Sequence, residues 1–574
     1  MKKFRALLCI LLAVAMVLSF AACGKKTDDN KPADDAADNT PAGDTNTPAD
    51  DNTPADDSTT PDDGDDLVDT SVALQDTIIT SMDQYNNRPE GIQEGTEIKY
   101  VMLNDTPSYV PWNDTSAAQV YTQVFDGLLY NHLGSVDDIR GNIAETWEHS
   151  DDYLTWTFHI RDGVMFADGT VCDAYAFETS WNYYKERSAT NISNLNIESW
   201  EAVDASTFVV HLSTPCAYFE NGMAGTSLVP LSPTACELYG ADNNGCAVGT
   251  GPYYIESYTP GVGMDLKANP NYHLSEKRPH IETVHYVVIK DSNTLMMALL
   301  NGEVDGAVSS DIELFYNLQD AGFDGDLRVS LSNVNPVYLN AKKVIPFQTY
   351  EVREALARFV DFEAVNDLLY DGHALVQTSL WAYGTSGYVY TDDYYYNPEE
   401  GYELLESVGM TTSDINFTVT CQEGADTTFV ALQNQLSKVG INFDIEIIEA
   451  AANFTLLKNG DWTATVGSNA YTNAAPYAPW TYILKKDAMI KQIWTDIYNP
   501  ELYDLMIEEF NAMTSAPTWE EMIEHCHALT TYAQDDHAAL LGLQRPGFIV
   551  LNGKYKNAIY YTATQYIMLY YLYV

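Results

Sequence analysis

The chain has 574 residues, of which 46% are hydrophobic and 12% aromatic. A chain of this length is too long to fold around a single hydrophobic core, so two or three globular lobes are expected. Its 29 Lys and Arg face 82 Asp and Glu, giving a formal net charge of −53. A charge of this sign and size repels phosphate backbones, so nucleic acid is excluded as a partner.

The first residues have the pattern of a bacterial export signal. Basic residues precede the apolar run 6–20, which is too short for an ordinary membrane-spanning helix. The small residues before Cys23 resemble a lipobox, in which the cysteine is diacylated and becomes the mature N-terminus. Residues 1–22 are therefore predicted to be a lipoprotein signal peptide. Cleavage by the ordinary signal peptidase is the alternative, because Phe20 stands where leucine is usual.

An acidic segment follows the signal. It consists mainly of Asp, Thr, Pro, Ala and Asn, with near repeats such as NTPAGD and NTPADD and few large apolar residues. Such a composition cannot offset the entropy of ordering the chain. Residues 23–94 are predicted to form a disordered tether, and the strand IKYVML then opens the folded part near Glu97.

The stretch 154–169, LTWTFHIRDGVMFADG, predicts a strand followed by two turns and a helix. Apolar and polar residues alternate over 155–160, the period of a strand with one buried face. Asp-Gly pairs at 162–163 and 168–169 supply the positive φ that tight turns need. Asp173 is placed to cap the helix beginning AYAFETSW.

This stretch resembles the signature of the extracytoplasmic solute-binding proteins of family 5, the oligopeptide- and dipeptide-binding lipoproteins of ABC importers. It departs from that signature at Ala176, where the family has an acidic residue. Further family motifs recur in family order: VFDGL at 124–128, GTGPY at 249–253, NPNY at 269–272, LNGEVD at 300–305, YLN at 338–340, VREALA at 352–357 and PEEGYELLESVG at 398–409. The resemblance covers about residues 97–551.

The resemblance implies an α/β fold with two lobes, of the large, peptide-binding class of periplasmic-binding proteins. Lobe I would comprise residues 95–330 and 536–574, and lobe II residues 331–535, so that two crossings form a hinge. The alternation of helical patterns such as 352–362 with β-rich runs indicates α/β independently. The Tyr-rich end is expected to be a final strand and helix packed on lobe I.

Enzyme and metal motifs give no match. The chain has neither HExxH nor GxSxG, and in His525-Cys526-His527 the two imidazoles point away from each other on a helix. No catalytic residue, metal or cofactor is predicted. The alternatives are a secreted carbohydrate-active hydrolase that uses two carboxylates, and a solute-sensing receptor of the same fold without transport.

The cysteines leave two interpretations open. Apart from Cys9 and Cys23, six remain, and export makes disulfides possible. Cys236 with Cys246 would close a short loop, whereas buried free thiols are equally consistent with the sequence. The six are Cys172, Cys216, Cys236, Cys246, Cys421 and Cys526.

The ligand site departs from the family. Peptide-binding relatives carry W-x-A-D-Y after a strand of the second lobe, and the Asp pairs with the α-ammonium of the peptide. Asn469 and Thr472 stand in place of that Trp and Asp. Because a desolvated ammonium without a carboxylate is costly, a polar uncharged solute or a peptide held by its backbone is favoured. Arg545 is a candidate partner for a ligand carboxylate.

The resemblance therefore implies a lipid-anchored, extracytoplasmic, monomeric binding component of an ABC importer. It would capture an oligopeptide or related small solute by hinge closure and deliver it to a membrane permease. The predicted cleft residues are aromatic, amide, hydroxyl and guanidinium side chains: Tyr109, Trp112, Asn113, Tyr338, Asn469, Tyr471, Thr472, Asn473, Gln544 and Arg545.

Overall fold

A ten-stranded mixed sheet and a four-stranded antiparallel sheet form the framework of the protein. The computed structural model describes residues 82–102, 108–113, 118–134, 138–383, 385–467, 469–470, 480, 483–484, 491–561 and 566–574, which belong to one compact unit. The signal peptide, Cys23, the tether up to residue 81, and Tyr471, Thr472 and Asn473 lie outside the described residues.

The strands are β1 Gln93–Met102, β2 Leu129–Asn131, β3 Ile139–Gly141, β4 Ala144–His149, β5 Thr155–Ile160, β6 Ile197–Asp204, β7 Thr207–Leu212, β8 Tyr253–Thr259, β9 Gly263–Ala268, β10 Ile281–Val288, β11 Gly306–Ser309, β12 Gly325–Leu339, β13 Leu375–Val376, β14 Asn416–Gln422, β15 Asn442–Ile448, β16 Ala464–Val466, β17 Asn469–Ala470, β18 Ala539–Asn552, β19 Tyr560–Tyr561 and β20 Tyr566–Ile567.

The α-helices span Met82–Asn86, Ala118–Val124, Ala174–Arg187, Ala189–Ser193, Phe219–Ala224, Pro233–Tyr239, Ser292–Leu300, Ile312–Asp320, Tyr350–Phe359, Phe362–Tyr370, Pro398–Ser407, Asp426–Lys438, Ala450–Asn459, Thr495–Tyr498, Pro500–Ser515 and Trp519–Asp535. Throughout the described ranges, each helix is too short or too polar to cross a membrane.

The large sheet has the order β16-β12-β18-β11-β1-β10-β9-β8, with β13 added to β18 and β17 to β12. Its long strands β12 and β18 pair antiparallel over nearly their whole length, whereas β1 runs parallel to β10 and β11. The β12–β18 ribbon therefore joins the strands that precede residue 310 to those that follow residue 370.

The strand, turns and capped helix predicted from 154–169 are confirmed. β5 buries Trp156, Phe158 and Ile160 in the four-stranded sheet, and the Asp173 carboxylate accepts a hydrogen bond from the Ala176 N–H at 3.1 Å. The capped helix packs Trp181 edge-on against a ring of β7. A strictly local pattern thus determines one complete layer of the core.

Helix Ala118–Val124 ends five residues before β2 begins. The glycines of GTGPY bring their loop against that helix end, where a Cβ at Gly251 would lie 2.4 Å from the Val124 carbonyl carbon. One expectation needs correction. The Tyr-rich end forms β19, β20 and a 3₁₀ turn, Leu569–Tyr571, because close packing of the tyrosines replaces a helix.

The folded part begins earlier than the tether boundary implied. Helix Met82–Asn86 lies against the C-terminal end of the chain, where the Gln84 amide oxygen accepts the Asn557 N–H at 3.0 Å and Tyr85 packs edge-on against Tyr571. The composition of the segment does not predict this contact, because the residues that Gln84 and Tyr85 contact lie hundreds of residues further along the chain.

A buried ion pair fastens this region. Asp126 is fully enclosed and accepts hydrogen bonds from Lys277 Nζ at 2.6 Å and from Asn142 Nδ2 at 2.8 Å. Burial by itself raises the pKa of Asp126, but the Lys277 cation and the hydrogen bonds outweigh it, and the pKa is lowered. The ammonium group lies 5.3 Å from the ring centre of Tyr130 and 5.4 Å from that of Tyr570.

Replacing Asp126 by Asn should cost about 3–5 kcal/mol of unfolding free energy, because it leaves the Lys277 charge buried without a counter-ion. Urea unfolding of the variant measures this. The matched control is Asp138→Asn, whose partner Arg140 has a side chain 41% exposed, and which should cost about 1 kcal/mol or less. Equal losses in the two variants would contradict a structural role for the buried pair.

Candidate functional site

The β12–β18 ribbon carries three of the seven predicted cleft residues that the structure describes, namely Tyr338, Gln544 and Arg545. It bends at Gly542, whose φ of +80° favours glycine and where a Cβ would lie 2.1 Å from the Asn335 carbonyl oxygen. The strand register shifts at this point, between the pairs at Asn335 and Val337. A bulge therefore turns the ribbon directly beside Gln544 and Arg545.

Arg545 lies next to the bend, paired through its backbone with Asn333. The side chain is half-buried, and its Nε has no hydrogen-bond partner among the described residues. Burial raises the pKa of the Tyr370 hydroxyl, and the Arg545 cation opposes that rise, which places the guanidinium within electrostatic reach of Tyr370. A half-buried guanidinium with an unused donor can receive a carboxylate.

Gln544 points to the other face of the ribbon, since neighbouring side chains of a strand alternate. Its Oε1 accepts hydrogen bonds from Gln377 Nε2 at 3.0 Å and from the Tyr383 N–H at 2.9 Å. The side chain is buried. In this conformation Gln544 anchors the segment 375–383 to β18.

Tyr338 supports the segment that replaces the family's W-x-A-D motif. Its ring is fully buried, and a Cβ at Gly467 would lie 2.4 Å from it, so the chain after β16 passes directly over the ring. Gly467 also donates its N–H to the Pro336 carbonyl at 2.7 Å. The backbone of Asn469 then pairs with Val334, which also pairs with Gln544. Asn469 and Gln544 thus flank the same residue of β12.

The three residues predicted near position 110 occupy different environments. Tyr109 is buried, packs edge-on against Tyr258 with ring centres 4.8 Å apart, and lines an open groove of about 640 Å³. Trp112 is buried too, and its indole N–H donates to the Ala241 carbonyl at 2.9 Å. Asn113 is exposed. Tyr109 and Trp112 contact the loop after helix Pro233–Tyr239, and the structure does not join these three residues to those of the ribbon bend.

His525, Cys526 and His527 diverge as their spacing predicts. His525 Nδ1 lies 2.6 Å from Glu509, His527 Nε2 lies 2.9 Å from the Ser386 carbonyl, and Cys526 is buried. Within the described residues, no cluster of His, Cys, Asp or Glu is arranged to hold a metal.

Comparison with known sequences decides the family. The sequence profile described as "Bacterial extracellular solute-binding proteins, family 5 Middle" matches residues 138–490. The chain belongs to this family. The glutathione-binding protein GsiB of Shigella flexneri is 26% identical to it over 351 residues, which cover 59% of this chain and 66% of GsiB, just under two thirds of that relative.

Solved structures show the same fold for this family 5 protein. NikA from Brucella suis, in complex with Fe(III)-EDTA, superposes with a TM-score of 0.73 at 17% identity, covering 83% of this chain and 99% of NikA. Haemophilus influenzae OppA, in complex with the peptide RPPGFSPFR, gives a TM-score of 0.66 at 20% identity, covering 84% of this chain and 99% of OppA. The predicted two-lobed α/β class is confirmed, and the hydrolase alternative finds no support.

In this solute-binding protein a buried hydrogen-bond network holds the segment that leads into β18. Sequence reasoning missed this network. Arg353 binds the Asp536 carboxylate at 2.9 Å and also donates from Nε to the Asp536 carbonyl at 3.0 Å. Tyr498 donates its hydroxyl to the same carboxylate at 2.6 Å. Arg353 is therefore paired inside the protein and is not available to a ligand.

His537, the next residue, is buried with a φ of +47°. Its ring stacks on Tyr394 with centres 4.6 Å apart and meets Tyr350 edge-on. The nearest carboxylate, Asp393, lies 3.6 Å from Nε2, longer than a hydrogen bond. Burial, helped by the Arg358 cation, lowers the pKa of His537 to about 4 against the pull of Asp393.

This histidine should make the protein less stable in acid. The unfolded chain binds the proton near pH 6.5 and the folded protein only near pH 4, so stability falls as pH drops through that interval, by up to about 3 kcal/mol. His537→Asn keeps a residue that tolerates positive φ and should flatten the dependence. Urea unfolding at pH 4–7 measures it.

The control is His159→Asn, at an exposed position of β5, which should keep the wild-type slope. A variant at His537 with an unchanged slope would show that other groups account for the acid sensitivity.

Proposed function

We propose that this protein is the extracytoplasmic substrate-binding component of an ABC importer. It captures a short peptide or a related small solute between its lobes and delivers it to a membrane permease. Membership of family 5 supports this, together with the family's fold. The observation that carries the proposal is the half-buried Arg545 at the ribbon bend, whose Nε has no partner among the described residues.

The lobes follow from the two crossings. Lobe I comprises residues 95–330 and 536–574, extended at its start by helix Met82–Asn86, and lobe II comprises residues 331–535. The first limit falls within β12 and the second just before β18, which begins at Ala539. Hinge closure then needs small backbone changes at the bulge, and the Arg353–Asp536 pair attaches the start of the return segment to lobe II.

The ligand is held through a carboxylate and through neutral hydrogen bonds. Arg545 supplies the cation, and Asn469, Tyr471, Thr472 and Asn473 supply amides and hydroxyls in place of the family's acidic residue. Because the chain has a net charge of −53, it repels an anionic ligand group unless a cation such as a guanidinium lies beside that group. Tyr338 and Gln544 act as positioning residues, because their side chains hold the neighbouring segments.

The protein acts as a monomer fixed to the outer face of the membrane. The diacylated Cys23 is the anchor, and the acidic segment before the folded part separates the lobes from the lipid surface. Two or more acyl chains hold a protein durably, whereas one does not.

Binding of peptides tests the function and the role of Arg545 together. Any solute released on denaturation is identified by mass spectrometry, and short peptides, glutathione included, are then titrated as free acids and as C-terminal amides. Arg545→Gln should weaken binding of the free acid about 10- to 100-fold, the loss of one charge-assisted hydrogen bond, and leave the amide unchanged. Calorimetry measures both affinities.

The matched control is Arg161→Gln, whose side chain is 27% exposed and pairs with Glu145 at 3.7 Å, and which should bind both peptides normally. An equal loss for acid and amide would contradict carboxylate recognition by Arg545. Failure of every peptide to bind, with no solute released from the purified protein, would contradict the binding function itself.

The anchor has its own test. Cys23→Ser removes the acylated thiol, so the protein should move from the membrane pellet to the soluble fraction, as an immunoblot of the two fractions shows. The intact mass of the wild-type protein should match a chain beginning at an acylated residue 23. A soluble wild-type protein with an unmodified N-terminus would instead indicate cleavage by the ordinary signal peptidase.

A further inference from the structure

Two of the buried cysteines meet at one place in the fold. Cys236 lies on the buried face of helix Pro233–Tyr239, and Cys246 ends the 3₁₀ turn Asn244–Cys246 that packs against this helix. The helix and the turn contact each other, and each thiol affects the pKa of the other, lowering that of Cys236 and raising that of Cys246, as neighbouring thiols do. Neither cysteine is joined to another by a disulfide in the structure.

The loop between them is already closed by its backbone. Gly240, with a φ of +86°, donates its N–H to the Cys236 carbonyl at 2.9 Å, and the Cys246 N–H donates to the Asn243 carbonyl at 2.9 Å. Cys246 Sγ also lies 3.5 Å from the Ala241 carbonyl oxygen. A chain of backbone hydrogen bonds, completed by the Asn243 N–H to the Gly240 carbonyl at 3.0 Å, thus holds the turn that carries Cys246 against the end of the helix that carries Cys236.

The other thiols have different surroundings. Cys526 Sγ lies beside Trp480 and Thr530, and Cys216 lies beside Tyr218. Among the described residues, neither these nor Cys172 and Cys421 interact with a second thiol. The pair 236–246 is therefore the one that the fold selects.

We infer that Cys236 and Cys246 form a disulfide in the exported protein and that it fastens the loop 240–246. The reaction is thiol–disulfide exchange with a disulfide-bonded oxidant. One cysteine thiolate attacks the oxidant, releases one of its thiols and forms a mixed disulfide. The second cysteine then attacks this mixed disulfide and releases the other thiol of the oxidant. The protein loses two protons and two electrons, and the oxidant leaves as two thiols.

Both thiols are enclosed once this region has folded. Cys246 is fully buried and Cys236 nearly so. Exchange therefore takes place as this region folds, and native packing selects the partner.

The disulfide would stabilise the wall that holds the segment around residue 110. The loop presents Asn244 Oδ1 to the Tyr109 N–H at 2.7 Å and the Ala241 carbonyl to Trp112. Asp242 pairs with Arg187 at 2.7 Å on the outer side. The same loop lines the groove at Tyr109, so a covalent closure limits how far that groove can open.

Peptide mapping tests this directly. The full chain is isolated from cells that export it, and its free thiols are blocked with N-ethylmaleimide under denaturing conditions without reductant. The chain is then cleaved at Glu237 and Asp242, which lie between the two cysteines, so that each cysteine is on its own fragment. The fragments carrying Cys236 and Cys246 should run as one species, two mass units lighter than their sum, and separate on reduction. Maleimide on both cysteines would overturn the inference.

Serine variants test whether Cys246 pairs with Cys236 or with another cysteine. Cys236→Ser should leave Cys246 open to maleimide, whereas the control Cys421→Ser should leave the linked fragments intact. Reductant should lower the melting temperature of the wild-type protein by a few degrees and leave that of the Cys236→Ser, Cys246→Ser double variant unchanged. If the serine variants do not fold, the wild-type peptide map still decides the question.

Discussion

The pairing of β12 with β18 is the constraint on which the rest of this structure depends. These long strands lie second and third in the order of the large sheet and join β16 and β17 on one side to β11, β1, β10, β9 and β8 on the other. The bulge at Gly542 turns the ribbon, because no side chain fits against the Asn335 carbonyl. Arg545 and the backbone of Asn469 both flank β12 near this turn, so the proposed binding residues and the proposed hinge lie on one element.

Several of the few positive charges of this chain are buried in ion pairs. Against 82 acidic residues the chain has 29 Lys and Arg, and Arg353, Arg358 and Lys277 are buried beside carboxylates that each of them neutralises. These pairs resist exchange for ligand, since breaking one leaves a charge uncompensated in the interior. Arg545 differs in keeping a donor unused, which is the property a binding residue needs.

Local patterns predicted the fold well and the site only in outline. The strand, turns and cap of 154–173 depend on neighbours in sequence, and so they could be read from periodicity and turn chemistry. Aromatic chemistry and position in the family pattern predict Trp112 and Tyr338 as cleft residues, and Gln544 is predicted from its place after LLGL, which resembles the family's returning strand. The side chains of all three make contacts within the protein. Aromatic and amide residues serve cores and clefts equally, and composition cannot separate the two uses.

The sequence by itself determined the α/β class, the family and the order of the main elements, because these follow from short-range periodicity and from motifs that occur in a fixed order. Only the tertiary structure decided which charges are paired. It joined Asp126 to Lys277 and Arg353 to Asp536, and it brought Cys236 to Cys246 where the sequence left pairing and free thiols open. These contacts depend on how distant segments pack, and the energy of a buried group is set by its neighbours in space rather than in sequence.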